Sequence, residues 1–337
     1  MTLRRTILTA AAATATATAM VPISACGFSD SSGGSSQTVE YSNPVASQPA
    51  QHVLNNAFEA AAHSVGWDAK IYDANLSPDT QVSNIQTMIQ TQADAITVWT
   101  LDAGAMGGVY AQAKEQGIPI IGVNSDDEGI TTTVWWESFM CEAPDAPFKR
   151  AAQSVAKERP GAKVIVLGGP PAPSVQKNAS CFTEAAEDAG LEIINRTDNV
   201  KDDSANALAL TSDLLAKYPD VDFIWAYNDL TALGASSAVT AAGLKVSDGQ
   251  SPGVIIHGTN GDADAIQAIR EGRLTGTWDP NNVASGMSII KAVQNIQEGN
   301  TADLIIKSTF WDTSNIDNYI DSDKVTYDLD DLPLVAP

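Results

Sequence analysis

The residues of this chain that could do chemistry are amides and short hydroxyls, and they recur just after short apolar runs. Ser47, Gln48 and Gln51 follow the first run, Trp99, Thr100 and Asp102 another, and Asn124 and Ser125 a third. Gln176 follows a Gly/Pro loop, and Asn228 with Asp229 and Asn260 with Asp262 complete the series. Asn and Gln each carry donors and an acceptor, which suits a neutral ligand whose hydroxyls both give and take hydrogen bonds. Trp99 adds a flat apolar face. Each amide taken singly is equally at home in a turn or a helix cap; repetition at equivalent positions is what points to one shared binding site. Asp102 reads either as a negative group in that site or as a cap.

Groups for bond-breaking chemistry are not gathered in the same way. There is no His-Glu-x-x-His, no phosphate loop and no Gly-x-Gly-x-x-Gly. The three histidines are scattered, no Cys-x-x-Cys occurs, and neither a metal nor a cofactor is expected. His257 falls in a strand-like run and reads as core or cleft wall. An enzyme is therefore not the expected class.

Around these residues the chain has a distinct leader. Arg4 and Arg5 precede an uncharged, moderately apolar run from Thr6 to Ala25, as in a signal peptide spanning 1–25. The run ends in Ile23-Ser24-Ala25-Cys26, which resembles the lipobox of bacterial lipoproteins. That resemblance implies lipidation of Cys26 and an extracytoplasmic protein anchored to the cell membrane. The arginine pair also faintly resembles a twin-arginine export signal. Residues 26–37, rich in Gly and Ser, are expected to be a flexible tether. Formal charge is −22, and the leader contributes only cations, so nucleic acid is an unsuitable partner. Cys141 and Cys181 remain, in an exported setting, as a possible disulfide or as two buried thiols.

Positioning strand-end residues requires strands, and the hydrophobic period supplies them. Strands are expected at Thr38–Ser42, Lys70–Tyr72, Ala95–Trp99 and Ile118–Val123, separated by helices. One helix carries Leu54, Phe58 and Ala61 and stops at Gly66; another opens at Ser77-Pro78-Asp79. The second half repeats the grammar with strands at Lys163–Leu167, Leu191–Ile194, Phe223–Ala226 and Val254–Ile256. Helices there are expected over Ser174–Ala189, Ser204–Tyr218 and Thr231–Ala242. Alternation of this kind indicates α/β units on parallel sheets, and the length after residue 25 exceeds what one core usually serves. Two lobes follow, with ligand outside the carboxyl ends of the strands.

The segment Asp222-Phe223-Ile224-Trp225-Ala226-Tyr227-Asn228-Asp229, followed by Ala232-Leu233-Gly234, resembles the Asn-Asp strand end of the ribose-type, class I periplasmic sugar-binding proteins. Gly117-Ile118-Pro119-Ile120-Ile121, Ile255 to Asn260, and Glu271-Gly272-Arg273-Leu274 with Thr277 are similar to further segments of that family in order and spacing. The resemblance implies the type I periplasmic binding protein fold: two doubly wound parallel-sheet lobes joined by three crossings near Cys141, Pro280 and Trp311. It divides the chain into a first lobe of 38–140 plus 281–311 and a second of 141–280 plus 312–337. It sets Cys141 and Cys181 side by side near the first crossing. It also implies a monomer that closes on its ligand and presents it to an ABC permease with its ATPase.

Carried over one residue at a time, Asn228 sits in an intact motif. Asn260 stands where the family has a sugar-clamping Asp, and Asn124 where Asp precedes Arg, with Ser125 in place of that Arg. Gln176 falls where a second Arg is usual, Gln51 where an aromatic stacks, and Trp99 replaces a polar residue. Charged clamps have thus become amides, which puts ribose itself in doubt and favours a small neutral polyhydroxylated ligand. Two alternatives share the fold: a surface sensor reporting to a membrane receptor, and a binding protein for a nucleoside or furanosyl signal molecule. A sugar-responsive repressor would need a basic helix-turn-helix, which residues 1–37 cannot form.

Overall fold

A computed structural model describes residues 36–335. The leader, Cys26 and the tether up to residue 35 lie outside the described residues. In the first lobe, β1 (Thr38–Asn43), α1 (Pro49–Ser64), β2 (Asp68–Asp73), α2 (Pro78–Gln90), β3 (Ala95–Val98), α3 (Ala103–Glu115), β4 (Ile120–Val123) and β5 (Thr132–Trp136) follow one another. The second lobe runs through α4 (Pro147–Glu158), β6 (Lys163–Gly168), α5 (Pro173–Asp188), β7 (Glu192–Asp198), α6 (Ser204–Lys217), β8 (Phe223–Ala226), α7 (Asp229–Ala241), β9 (Ile255–Thr259), α8 (Ala263–Arg270) and β10 (Gly276–Asp279). The chain then forms α9 (Asn282–Gln297) and β11 (Leu304–Ile306) on the first lobe and β12 (Thr309–Asp312) on the second.

Each lobe has a six-stranded sheet, in the orders β2-β1-β3-β4-β5-β11 and β7-β6-β8-β9-β10-β12. All pairings are parallel except β10 with β12, which is antiparallel. The central strands β3, β4 and β8 are buried along their whole length, which is why they read as unbroken apolar runs. Helices start where capping chemistry allows. Ser77 accepts a hydrogen bond from Thr80 N (3.2 Å) ahead of Pro78, and Pro219 stops α6.

Core packing repeats between the lobes. In the first, α1 lays Leu54, Phe58, Ala61 and Ala62 against α9 residues Ile289, Ile290 and Val293. Gly286 of α9 faces the backbone of Leu54 and Phe58, so the two helices meet where a Cβ would collide with main chain. In the second, α7 meets α6 through Gly234 in the same manner. Phe182 stacks flat on Trp225, with centroids 4.6 Å apart. Next to it, Cys181 on α5 is bonded to Cys141, their Cα atoms 5.8 Å apart.

The crossings show two departures from expectation. The first lies between Phe139, packed with Trp99 and Trp136 of the first lobe, and Cys141, packed in the second. The second lies between Asp279 and Asn282. The third falls between Ile306 and Thr309 and not near Trp311, because β12 already pairs with β10 from Thr309 onward. Nor does the stretch after 312 stay with the second lobe. Tyr327 and Leu329 pack on the first-lobe core, Lys291 pairs with Asp330, Val335 N bonds Ile305 O (2.8 Å) and Leu334 bridges to Ile306. This fourth crossing covers apolar surface on α1 and α9, and the segment's scarcity of long apolar runs gave no sign of it in sequence.

Candidate ligand-binding site

Between the carboxyl ends of the two sheets lies a narrow cleft of about 70 Å³, partly open to solvent. Its lining comes from the segments that follow β1, β2, β3, β6, β7, β8 and β9, together with Trp136 at the end of β5 and Phe139 just beyond it. Each strand leaves its last inward side chain, or the first of the following loop, over this space, as a doubly wound sheet requires.

Five of the residues singled out above reach the cleft: Gln48, Gln51, Trp99, Asn228 and Asn260. Gln48, just ahead of α1, donates its amide across the cleft to Asp202 Oδ2 (2.6 Å) and Asp202 O (2.9 Å). Gln51 Oε1 is held by Asn43 Nδ2 at 2.9 Å. Asn228 caps α7, accepting from Thr231 N (2.9 Å), and turns its amide to Asp202 Oδ1 (2.8 Å). Asn260 adopts φ 128° and its carbonyl accepts from Asn282 Nδ2 (2.8 Å) of the hinge helix. Trp99 donates Nε1–H to Ser174 Oγ of the opposite lobe (2.9 Å), so what it turns to the cleft is carbon.

Four others do not line the cleft. Ser47 is exposed. Asp102 is the cap of α3, accepting from Ala105 N at 2.8 Å, and points to solvent. Asn124 is wholly buried with φ 49° and accepts from Trp136 N (2.8 Å), so it fixes the end of β5 and through it the Trp136 ring. Gln176 donates to the carbonyls of Gly169 (3.1 Å) and Pro170 (3.2 Å) and accepts from Arg196 (3.0 Å), holding in place the loop whose Pro170 lines the cleft. Proximity to a strand end put these side chains near the ligand space, but Asp102, Asn124 and Gln176 are turned back to satisfy nearby backbone.

Several lining residues were not anticipated. Asp202 sits at φ 55° in the loop after the edge strand β7, with its carboxyl raised to about 7 by burial against the opposing effect of the Asn228 and Gln48 amides. The Asp-Asp pair at 202–203 was the one signal available. Trp136 and Phe139 join Trp99 in an edge-to-face triad with centroids 5.0 to 5.7 Å apart. Leu101, Ala172 and Val175 form a small apolar cluster shared by both lobes.

Charge is distributed unevenly around the cleft. Among the described residues no lysine, arginine or histidine lines it. Behind Asn260, near the second crossing, Asp229 and Asp262 are buried and Asp279 half-buried; desolvation pushes all three upward, Asp279 to about 6, and neighbouring carboxylates add to the rise of Asp229 and Asp262. His257 is far down β9 among Phe223 and Phe310, and burial lowers it to about 4. Gly249-Gln250-Ser251-Pro252-Gly253 has the spacing of a nucleophile elbow, but it forms an exposed loop ahead of β9 instead of a turn between strand and helix. Among the described residues no cluster of His, Cys, Asp and Glu could hold a metal ion, and no helix is long and apolar enough to cross a membrane.

Two parallel-sheet lobes, hinged by several crossings and lined at their facing strand ends by amides and aromatic rings, define a type I solute-binding protein. Comparison with known proteins agrees. The family model described as periplasmic binding protein domain matches residues 39–301. The ribose import binding protein of Bacillus subtilis is 25% identical over 248 residues, 73% of this chain and 77% of that protein. The fructose import binding protein of Bifidobacterium longum is 26% identical over 343 residues, 94% and 98%. The solved structure of the Caulobacter myo-inositol binding protein, with myo-inositol bound, matches with a TM-score of 0.75 at 23% identity, covering 87% of this chain and 98% of that one. The chain belongs to the periplasmic binding protein family, in its ribose-type sugar-binding group, and is a solute-binding protein and not an enzyme.

Proposed function

We propose that this protein captures a small neutral polyhydroxylated molecule, a sugar or related polyol, between its lobes and delivers it to an ABC permease. The observation that carries the reading is the lining of the cleft: amides at Gln48, Gln51, Asn228 and Asn260, one carboxyl at Asp202, aromatic walls and no cation. An anion brought there would lose water without gaining a counter-charge, at a cost of several kcal/mol or more. Neutral hydroxyls matched to amides contribute about 1 kcal/mol net each. The ribose and fructose import proteins among the relatives, and the inositol-bound neighbour, carry names of neutral polyhydroxylated ligands.

Calorimetric titration with neutral sugars, polyols, sugar acids and sugar phosphates tests the assignment. Tight binding of the acids or phosphates with none of the neutral compounds would overturn it.

The Ile23-Ser24-Ala25-Cys26 motif supports attachment of the exported protein to the membrane through a lipid on Cys26. Cys26→Ser should then release it into the medium or soluble fraction; retention on washed membranes would remove the tether from the proposal.

A further inference from the structure

Polar and apolar groups in the cleft are sorted. Gln48, Asp202 and Asn228 form one hydrogen-bonded chain, 2.6 Å and 2.8 Å in its two links, and Asn260 follows on the neighbouring strand. Gln51, on α1, stands three positions after Gln48, and away from these residues the lining side chains are mostly carbon. Trp99, Trp136 and Phe139 pack edge to face, and Leu101 and Val175 belong to an apolar cluster that includes Tyr227. Besides Trp99 Nε1, only two side-chain polar atoms belong to the residues of this wall, Trp136 Nε1 and the Tyr227 hydroxyl, and both are buried without a partner. Trp99 contributes none, its N–H being used by Ser174.

A fully hydroxylated pyranose or inositol carries hydroxyls around its whole rim. Seated here, some would press against the Trp99–Phe139 face or the Leu101–Val175 cluster and lose water without finding a partner. The two isolated donors are buried within the wall and offer no row of partners to ligand hydroxyls.

We propose that the ligand is a partly deoxygenated sugar: neutral, hydroxylated along the edge that meets Gln48, Asp202, Asn228 and Asn260, and presenting CH2 or CH3 in place of hydroxyl to the carbon wall. This rests on the sugar-binding reading above and narrows its substrate class. Burying one methyl instead of one unpartnered hydroxyl should favour the deoxy compound by about ten-fold or more.

The experiment is calorimetric titration of the purified protein with matched pairs, D-galactose and D-fucose, L-mannose and L-rhamnose, D-ribose and 2-deoxy-D-ribose, beside uridine, D-galacturonate and ribose 5-phosphate. Within whichever pairs bind, the deoxy member should be tighter by about ten-fold or more, and Val175→Thr, which sets a hydroxyl on the wall at nearly constant volume, should shrink that ratio. Parent sugars binding as tightly as their deoxy partners would overturn the inference and leave the sugar-binding reading standing. Uridine binding in place of every free sugar would assign the wall to an aromatic substituent and overturn it as well. Binding of the two anions alone, or of nothing in the panel, would remove the sugar-binding reading and this inference with it.

Discussion

The side-chain amide of Gln48, on the first lobe, lies 2.6 Å from a carboxyl oxygen of Asp202, on the second. One donor therefore spans the cleft, and the same carboxyl is held from its own lobe by Asn228. Gln48→Ala should strand a buried acceptor and weaken ligand binding by roughly 1–3 kcal/mol, about 5- to 150-fold. Calorimetry on the variant checks it, and unchanged affinity would separate the link from ligand capture.

On the proposed capture of ligand between the lobes, Asp202 should make affinity sensitive to pH. Burial raises its carboxyl to about 7, above the ordinary 3.8, so the closed cleft holds a proton that an open, hydrated one releases. The closed form is favoured fully below the ordinary value, and that advantage disappears as pH rises through about 7. Affinity for a neutral sugar should fall over this range, and Asp202→Asn should flatten the profile.

Asn228 serves two purposes, and the substitutions at this position separate them. Asn228→Ala removes both the cap on Thr231 N and the amide on Asp202. It should cost about 1 kcal/mol of stability through the cap and reduce affinity as well. Asn228→Asp keeps the cap acceptor and loses only the donor. Its melting temperature should stay near the parent's while its affinity drops; equal losses in both variants would contradict the division.

The carboxyls of Asp229, Asp262 and Asp279 give a stability profile with a defined sign. Each is raised in the folded protein by desolvation, and Asp229 and Asp262 also by the neighbouring carboxylates. Their stabilising effect is present below the unfolded carboxyl range and is lost as pH rises through the raised values, about 6 for Asp279. His257 opposes them: lowered to about 4, it favours folding above its unfolded value and loses that effect as pH falls toward 4. With Asp202, also raised by burial, four carboxyls against one histidine predict a melting temperature higher near pH 5.5 than near pH 8. Asp262→Asn should reduce the difference.

Reduction of the Cys141–Cys181 bond removes a cross-link between residues 40 apart in sequence. By loop-closure entropy the loss is about 2–4 kcal/mol. Thiol titration of the unfolded, unreduced protein should find neither cysteine free, and the double Cys→Ser variant should melt correspondingly lower.

Most of the central architecture was legible because buried parallel strands such as Ala95–Val98 and Phe223–Ala226 appear as apolar blocks between amphipathic helices. The edges were not. The strand β11 is only three residues long and β12 is half exposed, so neither appears as a buried apolar block, and β12 runs against its neighbour. The cleft divides along the same line. Gln48, Asn228 and Asn260 were found by the rule of strand ends, whereas nothing local distinguishes Asn228, which turns inward, from Asn124, which turns back to Trp136 N. Asp202 follows an edge strand whose residues are half exposed, and its role depends on a lobe more than one hundred and fifty positions away in sequence, at Gln48.

The return of the last segment to the first lobe has a topological meaning. Strand β1 and the pairing of Val335 with Ile305 both belong to that lobe, so the second lobe is a domain inserted into the first, entered and left more than once and holding neither end of the described chain. A label or surface attachment at either end would load only the first lobe, and the second would swing as the free arm. Fluorophores at the two ends would report almost nothing of closure, whereas one on α1 and one on α6 would follow it directly.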